Sequence, residues 1–156
     1  MVKTYNIAVL LIMALLFSKV AYSQDEFREK ILEIKLEKLT TKLELDEGTK
    51  SIFIDKYKAF AGSMRELNQK RAKTYKLMTE NIEGGSGLDT LVSQLLEYEE
   101  QINGKRADFV ADMKTILTSK QIAKMIVFER KFNNEIKKLL KQYQKNNSNE
   151  KPFRDN

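Results

Sequence analysis

The sequence predicts an all-α protein: four amphipathic helices in an elongated or curved antiparallel bundle, preceded by a signal peptide. Three observations predict it. Apolar residues recur at steps of three and four over long stretches. The 156 residues include one Pro (Pro152) and six Gly, too few breakers for a chain of many short elements. No stretch alternates apolar and polar residues as a half-buried strand does.

The N-terminus stands apart from the helical part. Lys3 is followed by an uninterrupted apolar run from Ile7 to Phe17, and then by small residues at Ala21 and Ser23. That order is the pattern of a secretory signal peptide, cut near Ser23/Gln24. The run is shorter than the ~20 residues that a membrane-spanning helix needs, so a retained anchor is the weaker reading. With no Cys in the chain, a lipid-modified cysteine at the cleavage site is excluded. The expected organisation is therefore a signal peptide over 1–23, a four-helix domain over 24–141 and a disordered basic tail over 142–156.

Composition narrows the function classes. Net charge is +6, and +4 once Lys3 and Lys19 leave with the signal peptide. That balance is too weak to argue for nucleic acid, and an exported protein seldom meets it. The absence of Cys rules out disulfides, so stability must come from helix packing. With neither Cys nor His, transition-metal sites and His-based catalysis lose their usual groups. No cofactor and no metal are expected.

The first helix is expected from Asp25 to about Lys42, with Phe27, Ile31, Ile34 and Leu39 on one face and Leu32, Leu36 and Leu43 beside it. Asp25 and Glu26 fall in its first turn, where acids suit the helix dipole. Leu43 to Gly48 is a break, with Asp46 as N-cap of the second helix. That helix is expected from about Glu47 to Glu80. Phe53, Tyr57, Phe60, Met64, Leu67, Arg71, Tyr75 and Met78 recur at helical steps along it, and its length would be roughly 50 Å. Asn-Ile-Glu-Gly-Gly-Ser-Gly over 81–87 reads as a turn. It lacks the preceding strand and the Lys-Ser/Thr ending of a phosphate loop.

The third helix is expected from Leu88 to Ile116, on Leu88, Leu91, Leu95, Tyr98, Ile102, Phe109, Met113 and Ile116, with Gly104 a weak point. The fourth follows Thr118, with Ile122, Met125, Ile126, Phe128, Phe132, Ile136, Leu139 and Leu140 as a broad apolar face. Thr118 and Gln121 have the spacing of a capping box. The Thr hydroxyl can accept from the Gln121 N–H while the Gln side chain returns to the Thr118 N–H. The second and fourth helices are rich in Lys and Arg and the third in acids. This points to a basic surface with apolar residues beside it, suited to acidic, partly unfolded chains or to anionic lipid.

A signal peptide, four helices, a long second helix and Leu117-Thr118-Ser119-Lys120-Gln121 opening the last one together resemble the Spy/CpxP-like periplasmic proteins. The signature of that family is a Leu-Thr-x-x-Gln motif, usually present twice. The second copy matches at every defined position. The first, Leu45-Asp46-Glu47-Gly48-Thr49, keeps the Leu and a capping residue, with Asp for Thr and Thr for Gln. Phe128-Glu129-Arg130-Lys131-Phe132 is similar to a branch often labelled sensor of ECF-type sigma factor. The resemblance implies a small helical protein of the cell envelope. Better-studied members form a thin, curved antiparallel dimer that binds unfolded clients without ATP. Some restrain an envelope stress sensor, and some bind zinc, for which this chain lacks His and Cys.

The leading expectation is thus a periplasmic, ATP-independent chaperone or envelope-stress accessory protein, not an enzyme. Its partners would be unfolded or misfolded proteins, with a homodimer possible. Lys58, Arg65 and Lys124 would supply attraction, and Phe60, Met64, Met125 and Phe128 adaptable apolar contact. Each of those four apolar residues also lies on or near a helical stripe and equally suits a core. The alternatives are a regulatory component that binds a membrane signalling partner (an ECF sigma or two-component pathway) and a protein that makes weak contact with anionic membrane.

Overall fold

The computed structural model describes residues 24–149. The signal peptide expected over 1–23 and the residues 150–156 lie outside that range. The described residues form four helices and no strand: α1 (Gln24–Leu43), α2 (Glu47–Asn81), α3 (Leu88–Met113) and α4 (Ser119–Asn149). The chain divides into two compact units. A hairpin unit comprises Leu45–Ile122, and a terminal unit joins the chain before Leu45 to the chain after Ile122.

In the hairpin unit, α2 and α3 pack against each other. Lys56 Nζ lies 3.0 Å from Asp112 Oδ2, and Arg71 Nη1 lies 2.8 Å from Glu99 Oε1. Partner numbers fall along α3 as they rise along α2, so the two helices run antiparallel. Phe53, Tyr57, Leu67, Ile102, Phe109, Met113, Leu117 and Ile122 are buried. Phe60 stacks on Phe109 with centroids 4.1 Å apart, and Tyr57 meets Phe109 edge-on at 5.6 Å. Such aromatic pairs add about 0.5–1.5 kcal/mol each beyond area burial. The turn between the helices requires glycine: Gly85 and Gly87 have φ of 66° and 71°, where a Cβ is strained.

Burial in this unit is uneven. Toward the 82–87 turn the expected stripes continue, yet Thr74 is the last buried residue of α2. Tyr75 is 50% exposed, and on α3 Leu88, Leu91, Leu95 and Tyr98 are only partly covered. The Thr74 hydroxyl is satisfied within its own helix, donating to the Lys70 carbonyl at 3.2 Å. A two-helix hairpin has one seam, and large side chains on the flanks of that seam stay in water.

In the terminal unit, α1 and the body of α4 exchange side-chain bonds in reverse order. Lys35 Nζ donates to Asn133 Oδ1 at 2.9 Å, and Lys124 Nζ donates to Glu44 Oε1 at 3.1 Å. These helices therefore also run antiparallel. Leu36, Leu39 and Leu43 from α1 and Met125, Phe128, Phe132 and Leu139 from α4 are buried. The buried Thr40 hydroxyl donates back to the Leu36 carbonyl at 2.9 Å, so it brings no unpaired polar group into the core. The residue after α1, Glu44, has φ 55°. A left-handed residue commonly ends a helix, and the position is ordinarily Gly.

Three boundaries differ from the sequence expectation. The helix α3 ends at Met113, short of Ile116. Thr115 N–H bonds the Asp112 carbonyl and Ile116 N–H the Met113 carbonyl, both at 3.1 Å, which is the tighter three-residue pattern common at helix ends. The helix α4 runs past Lys141 to Asn149, so 142–149 is not the disordered segment expected. Gln142, Gln144 and Lys145 are good helix formers, the Asn and Ser residues at 146–149 are weaker ones, and Pro152 is the first strong breaker downstream. Ile126 was expected on the apolar face of α4 and is 49% exposed. It lies one step around the helix from Met125, beyond the edge of the covered stripe.

Candidate functional site

The two motif segments are helix starts. Thr118 N–H donates to Gln121 Oε1 at 2.9 Å, and Gln121 N–H donates to Thr118 Oγ1 at 3.3 Å. The Thr118 hydroxyl also donates to Gln121 Oε1 at 2.9 Å. Backbone closure follows, with Ile122 N–H on the Thr118 carbonyl at 3.0 Å. Leu117, the first residue of the motif, is buried. It anchors the box from below while Thr118 stays at the surface.

The first copy reaches the same end by different chemistry. Asp46 Oδ1 accepts from the Thr49 N–H at 3.0 Å, and Asp46 Oδ2 accepts from the Thr49 hydroxyl at 2.7 Å. Lys50 N–H then bonds the Asp46 carbonyl at 2.8 Å. Thr49 thus donates to the cap through both its N–H and its hydroxyl, whereas the Gln121 side chain accepts from Thr118. The Thr49 N–H holds the exposed Asp46 carboxyl below its ordinary pKa. Leu45 is half-buried.

The seven residues suggested as a binding surface are divided between the two units. Met125 and Phe128 are 1% and 8% exposed, so they are core residues of the terminal unit and not surface contacts. The reason is the one that made them ambiguous in sequence, namely that both lie on the buried stripe of α4. Lys124, in the same unit, is held by Glu44. Phe60 is partly covered and stacked on Phe109. Lys58 is exposed, and Met64 and Arg65 are half-exposed, on α2 of the hairpin unit.

Lys58, Met64 and Arg65 have neighbours that the sequence reading did not single out. At about 100° per residue, Lys58, Arg65 and Lys76 form one row on α2, with Met64 and Tyr75 between that row and the α3 seam. On α3, Val92 and Leu96 sit one turn apart, off the seam formed by Leu91, Leu95, Tyr98 and Ile102. In an antiparallel pair of right-handed helices, flanks reached by rotating in the same sense from the seam lie on the same side. Tyr75, Val92 and Leu96 therefore share one side of the hairpin with Lys58, Met64, Arg65 and Lys76. Their exposures are 50%, 42% and 64%. Their signal in the sequence was that Val92 and Leu96 each follow a stripe residue by one position, which widens the apolar arc beyond what one partner helix can cover.

In the terminal unit, Lys35 is the most perturbed cation. Burial pushes its pKa below the ordinary lysine value, against the opposing pull of the Glu129 carboxylate. Its Nζ also sits 5.3 Å from the centre of the Phe132 ring, a cation–π distance. This is a packed lysine with partners, not a nucleophile facing a cavity. Among the described residues, no group of three or more Asp, Glu, His or Cys could hold a metal ion, and no helix is long and apolar enough to cross a membrane. No family model, no curated protein and no solved structure matches the chain, so the functional reading rests on its own residues.

Proposed function

We propose that the chain is a non-enzymatic binding protein of the cell envelope that captures unfolded or aggregating polypeptides without ATP. The observation that carries this reading is the side of the α2–α3 hairpin just described. Tyr75, Val92 and Leu96 are large, apolar and left in water; Lys76, whose Nζ lies 3.6 Å from Glu80 Oε1, is at their level, and Arg65 and Lys58 follow further along the same row of α2. Apolar groups exposed next to long cationic side chains can meet many client sequences weakly and reversibly. The cations bring an acidic segment in from a distance, and the apolar groups hold it.

The resemblance to Spy/CpxP-like proteins supports the same reading, as do the signal-peptide pattern of the first 23 residues and the periplasmic location it implies. An elongated or curved antiparallel arrangement of all four helices, and a homodimer, belong to the same proposal. The test is light scattering from a slowly misfolding client with the protein in several-fold excess. Suppression is expected, and Tyr75→Ser, Val92→Ser and Leu96→Ser combined should remove it while leaving helicity intact. If the unaltered protein gives no suppression, or the triple variant suppresses equally well, the proposal fails.

A further inference from the structure

The outward face of α4 in the terminal unit has a character of its own. Taking Val127 as the reference and about 100° per residue, Arg130, Lys131, Asn134, Lys138, Lys141 and Lys145 fall with it inside an arc of about 100°. All are exposed. Ile126, 49% exposed, flanks Val127, 52% exposed, at one end of the row. The buried side chains Met125, Phe128, Phe132 and Leu139 occupy the opposite side of the helix. The acids of this stretch, Glu129 and Glu135, both lie outside the arc. Glu135 touches its edge only through Lys138, whose Nζ is 3.1 Å away. From Val127 to Lys145 the row is about 27 Å long at ~1.5 Å per residue.

We propose that this face of α4 docks the protein on the anionic headgroup surface of a phospholipid bilayer. Charge complementarity is the first argument. Five cations in one row with no acid among them is the pattern that anionic lipid recognises, and the paired aliphatic side chains at one end suit shallow insertion among the headgroups. The composition of the row is the second argument. A protein partner is fixed by aromatic or Arg anchors seated in pockets. This row has no aromatic residue and a single Arg, so nothing in it sets a register, and a fluid surface requires none.

The experiment is co-sedimentation of the chain from Gln24 to Asn156, its helicity checked by circular dichroism. The probes are vesicles of pure phosphatidylcholine and vesicles one-third phosphatidylglycerol. The protein should pellet with the anionic vesicles only, and should be released as salt rises from about 0.05 to about 0.5 M. A cation near an anionic surface strengthens partition about fivefold. Lys131→Gln, Lys138→Gln and Lys141→Gln together should therefore weaken binding about a hundredfold. These side chains are exposed, so the variant should keep its helicity. Tyr75→Ser, on the other unit, should leave vesicle binding unchanged. No pelleting, equal pelleting with both vesicle types, or undiminished binding by the triple Gln variant overturns the proposal. Capture of poly-glutamate by this face without vesicle binding assigns it to an acidic polypeptide and overturns the proposal as well.

Discussion

Thr118→Ala isolates the chemistry of the capping box. The change removes a hydroxyl that accepts from the Gln121 N–H at 3.3 Å and donates to Gln121 Oε1 at 2.9 Å. It leaves the bond from the Thr118 N–H to Gln121 Oε1 in place. The lost acceptor bond is long and exposed, so water partly replaces it. Cap substitutions of this kind cost about 0.5–2 kcal/mol, and the geometry here points to about 1 kcal/mol. For a chain of this size that corresponds to a fall in Tm of about 3–6 °C. Urea unfolding followed by circular dichroism reads the loss as a lower midpoint with an unchanged slope. Gln121→Ala and the double variant complete a cycle, and a coupling of at least about 0.5 kcal/mol is expected because the two side chains bond each other. Unchanged stability in Thr118→Ala together with lost client capture would falsify the structural reading of the motif and make Thr118 a contact residue.

Asp46 gives the first motif a pH signature. Its carboxyl is held below its ordinary pKa by the Thr49 N–H, so its stabilising contribution is present at neutral pH and is lost as pH falls below about 4. Asp46→Asn should lack that part of the acid-side decline, read by chemical denaturation at several pH values; parallel curves would exclude the cap as its source. Lys35 works in the opposite range. Its folded-state pKa is depressed by burial, so the unfolded chain holds the extra proton, and stability rises with pH through the alkaline range toward about 10.4. Lys35→Met should remove that rise, and a difference between the two proteins that does not change with pH would refute it. Glu44→Gly relieves a left-handed residue, worth about 1 kcal/mol, and loses an exposed pair with Lys124 worth about 0–1 kcal/mol. The variant should be neutral or more stable in a thermal melt, and a clear loss would mean that the Lys124 pair outweighs the strain.

The helices were legible because periodicity and caps are local. Asp46, the 81–87 turn and the Thr118 box can each be read from fewer than eight consecutive residues, and each marks a helix boundary. The depth of burial was not legible. Tyr75 and Phe53 occupy the same stripe of α2, yet one is half in water and the other fully covered. What separates them is the side chains that lie opposite, a long-range property that no window of α2 contains. The same gap misplaced Met125 and Phe128, whose side chains suit a core and a client equally well. The end of α4 was missed because its polar residues lack an apolar stripe, and the Asn and Ser residues at 146–149 read as a tail although no Pro or Gly interrupts the helix before them. The row of cations on α4 was visible only as composition until the helix fixed which of them share a face.

The two units differ in how the chain supplies them. The hairpin unit is one uninterrupted segment, whereas the terminal unit is assembled from segments on either side of it. Joining α1 to α4 therefore closes a loop that contains the whole hairpin. The entropy of that closure is smaller once the intervening chain has become compact. The hairpin should therefore act as the early folding nucleus, and the terminal unit should form only after the last segment has arrived. Pulse-labelled hydrogen exchange during refolding should protect the amides of Tyr57 and Phe109 before those of Leu36 and Phe132, and the reverse order would show that the chain ends find each other first. While the chain is being made from its N-terminus, this order leaves Leu36, Leu39 and Leu43 uncovered until α4 has emerged.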